Sequence, residues 1–132
     1  MIATKINSLL FRITTIVVFL QLLLGGLLTF DFIAAGAHIL TGLIVFLLAV
    51  ATMIASLVSK PRSRSLQMTS TAMVVLIIVQ IMLGFDPLDT GNQVIAWIHF
   101  VNAMAIYGVA ISGTFVALKL DQAVKLGPVR AS

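Results

Sequence analysis

Residues 32–57 read FIAAGAHILTGLIVFLLAVATMIASL, and this stretch decides the fold. It contains no acidic residue, lysine or arginine, and it is longer than the roughly 20 apolar residues that an α-helix needs to cross a bilayer. A single histidine, His38, interrupts it, with Ala35 before it and Gly42 after it at helical spacing. Because ionisable residues inside membrane spans are rare and mostly functional, His38 is the first candidate site residue.

The composition of the whole chain is typical of a membrane protein. Of its 132 residues, 61% are hydrophobic and 9% are charged, which is too little polar surface for a soluble domain. We therefore expect one domain, 1–132, surrounded by lipid. The formal net charge of +4 does not indicate nucleic-acid binding. The basic residues fall in the N-terminal segment, the loop at 59–65 and the C-terminal tail, as the positive-inside rule requires.

Four apolar segments predict an all-α integral membrane protein, built as an up-down-up-down bundle of four transmembrane helices. We expect the helices at about 9–29, 31–58, 66–85 and 92–118, with Asp31 capping the second helix. A basic loop at 59–65 and an outer loop at 85–93, rich in turn residues, separate them. With the basic segments inside, both termini lie in the cytoplasm and the chain spans the plasma membrane.

The chain also contains an internal repeat. QLLLG at 21–25 precedes His38, and QIMLG at 80–84 precedes His99. The interval from glutamine to histidine is 17 residues in the first half, from 21 to 38, and 19 in the second, from 80 to 99. Each half, repeat 1 at about 9–58 and repeat 2 at about 66–118, is thus a helical hairpin. The two hairpins have the same orientation, so the repeat is parallel.

The two histidines are the candidate metal ligands. Each lies about seven residues into its helix, which places both ~10 Å from the outer interface, at one level of the bundle. Two imidazoles facing each other between apolar helices suit bis-histidine ligation of a haem. Zinc fits poorly, because a zinc site needs three or four ligands. Interhelical packing and a proton relay stay open as alternatives for the pair.

Small and amide side chains near the histidines are the candidate cofactor contacts. Small residues leave room for a flat macrocycle but also allow close helix packing, and glutamines can bond a cofactor or join helices. Thr41 and Asn102, three residues after the histidines, can order the imidazoles or bond backbone carbonyls. No residue is identified as a catalytic acid or base. The candidate set is Gln21, Gly25, Ala35, Gly42, Gln80, Gly84, Ala96, Asn102 and Ala103.

These motifs resemble one half of a heme A synthase. That family consists of two similar four-helix bundles, each with histidines on its second and fourth helices and a Gln-x-x-x-Gly on the preceding helices. The catalytic half carries Glu-x-x-His-Arg, where this chain has AGAHI at 35–39, and the family's outer-loop cysteine pair is missing as well. The resemblance is therefore to the other half, which holds a haem b.

The resemblance implies one haem b per bundle, ligated by His38 and His99. We therefore expect an electron-transfer or accessory subunit of a respiratory complex of the haem-copper oxidase or quinol type. Other subunits of that complex or a second copy of the chain are the expected partners, and a quinone is a further candidate. Two alternatives stay open: a half-size heme A synthase that converts haem O to haem A as a homodimer, and a haem-free structural subunit.

Overall fold

The computed structural model describes residues 2–30 and 32–126, with the backbone alone at 86–90. These residues form four α-helices and no strand: α1 (Ile2–Thr29), α2 (Ala35–Val58), α3 (Arg64–Thr90) and α4 (Gln93–Leu126). Each helix contains a stretch long and apolar enough to cross a membrane. The described residues are therefore all-helical, with four helices able to cross a membrane, and this part of the sequence-based prediction is confirmed.

Most helix boundaries differ from the predicted ones. α1 begins at residue 2 instead of 9, and α4 continues to residue 126 instead of 118. Hydropathy identifies only the part of a helix that lies in lipid, whereas the backbone hydrogen bonds continue into the polar flanks. In the last turns of α4, Lys125 Nζ lies 2.7 Å from Asp121 Oδ2, an ion pair across one helical turn.

The predicted outer loop at 85–93 is wrong, because only Gly91 and Asn92 connect α3 to α4. Gly91 has a φ of +68°, a left-handed conformation that glycine adopts readily and that ends the preceding helix. Asn92 then caps α4, since its Oδ1 accepts hydrogen bonds from the backbone N–H groups of Val94 and Ile95. α2 begins at residue 35 instead of 31, and the predicted cap, Asp31, lies outside the described residues.

Each helix packs against two neighbours. α1 and α3 each contact both α2 and α4, so α2 and α4 lie diagonally across the bundle. Buried hydroxyl pairs join neighbouring helices: Thr14 Oγ1 and Thr52 Oγ1 are 3.1 Å apart between α1 and α2, and Ser56 Oγ and Ser70 Oγ are 2.6 Å apart between α2 and α3. Such interhelical hydrogen bonds favour association in lipid, where burial of apolar surface contributes little.

The fully buried residues all lie in one half of the bundle, which we call the core half. The limit of this core is Val18 on α1, Val45 on α2, Ile77 on α3 and Ile106 on α4. Beyond that limit, toward the 30–34 and 91–92 connections, every residue whose side chain the structure describes is at least partly exposed. We call this region the open half. The apolar core consists of Phe11, Val18, Val45, Ala49, Leu66, Met73, Val74, Ile77, Ile106, Ala110 and Ala117.

Candidate functional site

His38 of α2 and His99 of α4 meet in the open half. Their ring centroids are 6.3 Å apart, and the ring planes are inclined by 58°. Both residues are half-buried. Because α2 and α4 are diagonal helices, the two imidazoles lie between the helices and not on a lipid-facing surface.

A glycine lies against each imidazole. A Cβ on Gly25 of α1 would be 3.1 Å from His38 Cε1, and a Cβ on Gly84 of α3 would be 3.1 Å from His99 Cε1. The glycine of each Gln-x-x-x-Gly motif thus lets the histidine of the following helix approach the backbone. A larger side chain at either position has to displace the ring.

Gln21 is hydrogen-bonded to His38. Its Nε2 donates to the His38 backbone carbonyl at 2.9 Å and lies 3.3 Å from His38 Nε2. Gly42 leaves space for this contact, since a Cβ there would be 3.0 Å from Gln21 Nε2. Gln21 Oε1 is buried and has no hydrogen-bond partner among the described residues. The amide therefore joins α1 to α2 through its nitrogen.

Gln80, the counterpart of Gln21 in repeat 2, makes a different contact. Its Oε1 accepts a hydrogen bond from Asn102 Nδ2 at 2.7 Å, and the same Nδ2 donates to the Leu76 carbonyl at 3.0 Å. Asn102 therefore takes one of the two roles that the sequence left open, that of bonding a backbone carbonyl. Thr41 does the same, because its Oγ1 donates to a carbonyl of its own helix at 2.8 Å.

The three alanines of the candidate set lie in different environments. Ala35 is the first residue of α2 and is half-buried, as is Ala103, one turn after His99. Ala96, one turn before His99, is exposed. Contact with a cofactor stays a prediction for these alanines and for the glycines and amides of the set.

The donor set suits a haem better than a metal held by protein ligands alone. Among the described residues, no group of three or more His, Cys, Asp or Glu side chains is placed to hold a metal ion. A haem needs only axial ligands from the protein. A metal bound by one nitrogen of each ring, at about 2 Å, requires ring centroids about 6 Å apart. The observed 6.3 Å agrees with that requirement.

Two buried nitrogen atoms of the site have no hydrogen-bond partner. Nδ1 of His38 and Nδ1 of His99 are buried and have no hydrogen-bond partner among residues 2–30 and 32–126. Buried polar atoms without partners are rare and often indicate an absent water, ion or ligand. A water, an ion or a ligand bound between the helices would supply the missing partners.

Sequence reasoning missed two features of the bundle. The limit of the buried core depends on how four helices pack, and no local pattern marks it. The second feature is at the far end of the core half, where Thr4 Oγ1 donates to Asp121 Oδ1 at 2.9 Å. The sequence contains an indication of this contact, because Asp121 is a carboxylate within an otherwise basic end of the chain, one turn before Lys125.

The fold and the site define a class: a multi-pass membrane protein whose described residues form a four-helix bundle with a histidine pair between its diagonal helices. Comparison with protein-family models, with curated proteins and with solved structures finds no match for this chain. Its particular function therefore has to be argued from the residues of the site.

Proposed function

We propose that this protein binds one b-type haem, with His38 and His99 as the axial ligands. The observation that carries this proposal is the meeting of the two imidazoles at a centroid separation of 6.3 Å in the open half. Gly25 and Gly84 support it, since they allow both rings to lie between the helices. The chain contains no cysteine, so the haem is held without thioether bonds.

The four helices, in this proposal, cross the plasma membrane in alternate directions, with both termini in the cytoplasm. The contact of Thr4, near the start of α1, with Asp121, near the end of α4, supports this by bringing the two ends of the chain together. The lysines and arginines lie at these ends and around the 59–63 connection, the side that the positive-inside rule assigns to the cytoplasm. The histidine pair then lies toward the outer face.

The role that follows is electron transfer in, or assembly of, a respiratory complex. The bound haem supplies a one-electron redox centre, whose potential depends on its axial ligands and its burial. His38 and His99 hold the iron, the apolar helices limit the access of water, and Gln21 fixes α2 against α1. Lipid surrounds the exposed apolar faces. Another subunit or a second copy of the chain covers part of them, and a quinone is a further candidate partner.

The test is the visible spectrum and haem content of the purified full-length protein. We expect one unmodified haem b per chain, with the narrow reduced bands of six-coordinate iron. His38→Ala and His99→Ala are each expected to lower the haem content about tenfold or more, since even outer-shell partners of metal ligands contribute that much. Thr41→Ala is the matched control, because Thr41 lies one turn from His38 and bonds its own helix.

Two results would contradict the proposal. Full haem content in both histidine variants would make the ligand assignment wrong. A wild-type protein that retains no haem, even when expressed with haem supplied, would leave a haem-free structural subunit as the better description.

A further experiment distinguishes the electron-transfer role from that of a half-size heme A synthase. Position 35 is alanine where the catalytic half of that family has glutamate, and the described carboxylate of Asp121 is paired with Lys125 near the end of α4. We therefore expect no haem A in cells that make haem O and express this protein. Haem A formation in those cells would replace the electron-transfer role by an enzymatic one.

A further inference from the structure

The glutamines of the two repeats make different hydrogen bonds, and only one of them contacts a histidine. Gln21 reaches His38 with its amide nitrogen, whereas the amide oxygen of Gln80 is bound by Asn102. The glutamines occupy equivalent positions in the repeat, so the difference originates in their surroundings.

Two positions on the histidine helices explain the difference. The residue four positions after the histidine is Gly42 in repeat 1 but Ala103 in repeat 2, and only the glycine leaves the space that the Gln21 amide occupies. The residue three positions after the histidine is Thr41 in repeat 1, which bonds its own helix, and Asn102 in repeat 2, which holds the Gln80 amide. In repeat 1 the glutamine amide can therefore contact the imidazole of His38.

The contact with Gln21 determines which nitrogen of His38 carries the proton. Because Gln21 Nε2 donates to the His38 carbonyl, the nitrogen of the amide, and not its oxygen, faces the imidazole. An amide N–H only donates, so His38 Nε2, at 3.3 Å, accepts with its lone pair and the ring proton is on Nδ1. This is the tautomer that ligates a metal through Nε2, but its lone pair is already engaged.

His99 has no such neighbour. The Gln80 amide oxygen is occupied by Asn102, and Nδ1 of His99 has no hydrogen-bond partner among the described residues. The Gln21 amide therefore competes with a metal for the lone pair of His38, whereas the equivalent amide of repeat 2 is held by Asn102.

We propose that His38 is the exchangeable axial ligand and His99 the permanent one, so that a small neutral diatomic molecule binds on the His38 side of the haem. This inference rests on the proposed haem binding. With haem bound, the exchange would break the bond from His38 Nε2 to iron and form one from the diatomic molecule to iron, with no electron transferred. His38 Nε2 would then accept the N–H of Gln21, the contact that the structure shows.

The probe is carbon monoxide, added to the reduced, haem-loaded full-length protein after its haem content has been measured. Wild-type protein is expected to bind carbon monoxide, seen as a shift of the reduced spectrum. Gln21→Leu is expected to weaken the affinity for carbon monoxide about three- to tenfold. This is the effect of removing the one hydrogen bond that stabilises His38 after it has left the iron. Gly42→Ala should act in the same direction, because its Cβ displaces the Gln21 amide without removing it.

Gln122→Leu, the same change at an exposed position near the end of α4, is the matched control. Its affinity for carbon monoxide is expected to stay within about twofold of wild type, a smaller change than the loss of a hydrogen bond produces. Haem-loaded wild-type protein that binds no carbon monoxide, or equal weakening by the two leucine variants, overturns the exchange but leaves haem binding intact. Wild-type protein without haem overturns both proposals.

A second measurement does not need the haem. Nitrogen-15 NMR of the haem-free protein should show the proton of His38 on Nδ1, and the Nε2 signal should move in Gln21→Leu but not in Gln80→Leu. A proton on Nε2 of His38 in the wild-type protein would overturn the inference even if every variant folds and binds haem.

Discussion

Gly113 of α4 lies against the ring of Phe11 of α1 so closely that a Cβ on Gly113 would overlap the ring. Phe11 is completely buried and belongs to the core. Small residues at helix interfaces let backbones approach, and packing is a main source of helix association in lipid. This contact therefore sets the separation of α1 and α4 in the core half.

We expect Gly113→Ala to destabilise the protein by about 1–3 kcal/mol, because Phe11 or α1 has to move to admit the methyl group. Gly108→Ala is the control, since nothing outside its own helix backbone lies within 4 Å of its Cβ position, and alanine is the better helix former. Free energies of unfolding in mixed micelles compare the two. Equal stability of both variants would contradict the close contact.

Gly25→Val is expected to lower haem content, because a side chain at that position has to push His38 out of place. We expect a loss of about tenfold, comparable to the loss of a supporting residue of a metal ligand. Gly26→Val adds the same side chain one residue away, where nothing lies within 4 Å, and should retain haem. Haem content per folded protein, from the absorbance after extraction, is the measurement. Equal haem in both variants would refute the role of Gly25.

The Ser56–Ser70 pair, although fully buried, is expected to contribute little to stability. Each hydroxyl also lies within hydrogen-bonding distance of a carbonyl of its own helix, so the remaining serine keeps an acceptor when its partner is removed. Ser56→Ala and Ser70→Ala should each lower the free energy of unfolding by about 0.5–1 kcal/mol. Ser112→Ala, an exposed serine bonded to its own helix, is the control and should change it less. A loss several times larger in either buried variant would contradict this.

Single cysteines test the proposed orientation of the helices. The chain has no cysteine, so each introduced thiol is the only one. In intact cells we expect Gln93→Cys to react with a membrane-impermeant maleimide, whereas Ser65→Cys and Gln122→Cys react only after the membrane is opened. All three positions are exposed, which controls for accessibility. Labelling of residue 65 from outside would reverse the proposed topology.

The membrane class and the presence of four helices could be predicted because they depend on hydropathy and length alone. The ends of the helices could not. Residues 85–93 combine Asp, Pro, Gly and Asn, a composition typical of a turn, yet the helix continues to residue 90 and only the left-handed Gly91 ends it. The composition of this stretch favours a turn, but the helical backbone of α3 continues through it to residue 90.

The candidate site, too, could be predicted from the sequence only in part. The repeated Gln, Gly and His indicated which residues to consider, since spacing along a helix determines which positions share a face. It did not show that Gln21 reaches His38 while Gln80 is held by Asn102. That difference arises between residues 22 positions apart on separate helices, and a single methyl group, at position 42 or 103, influences it.

The restriction of the buried core to one half of the bundle has a consequence for biogenesis. All four helices contribute to that core, which contains no part of the histidine pair. Insertion and folding of the chain therefore do not need to wait for a prosthetic group. For the proposed haem site, we therefore expect maturation in two stages: the apoprotein assembles in the bilayer first, and the prosthetic group binds to it afterwards.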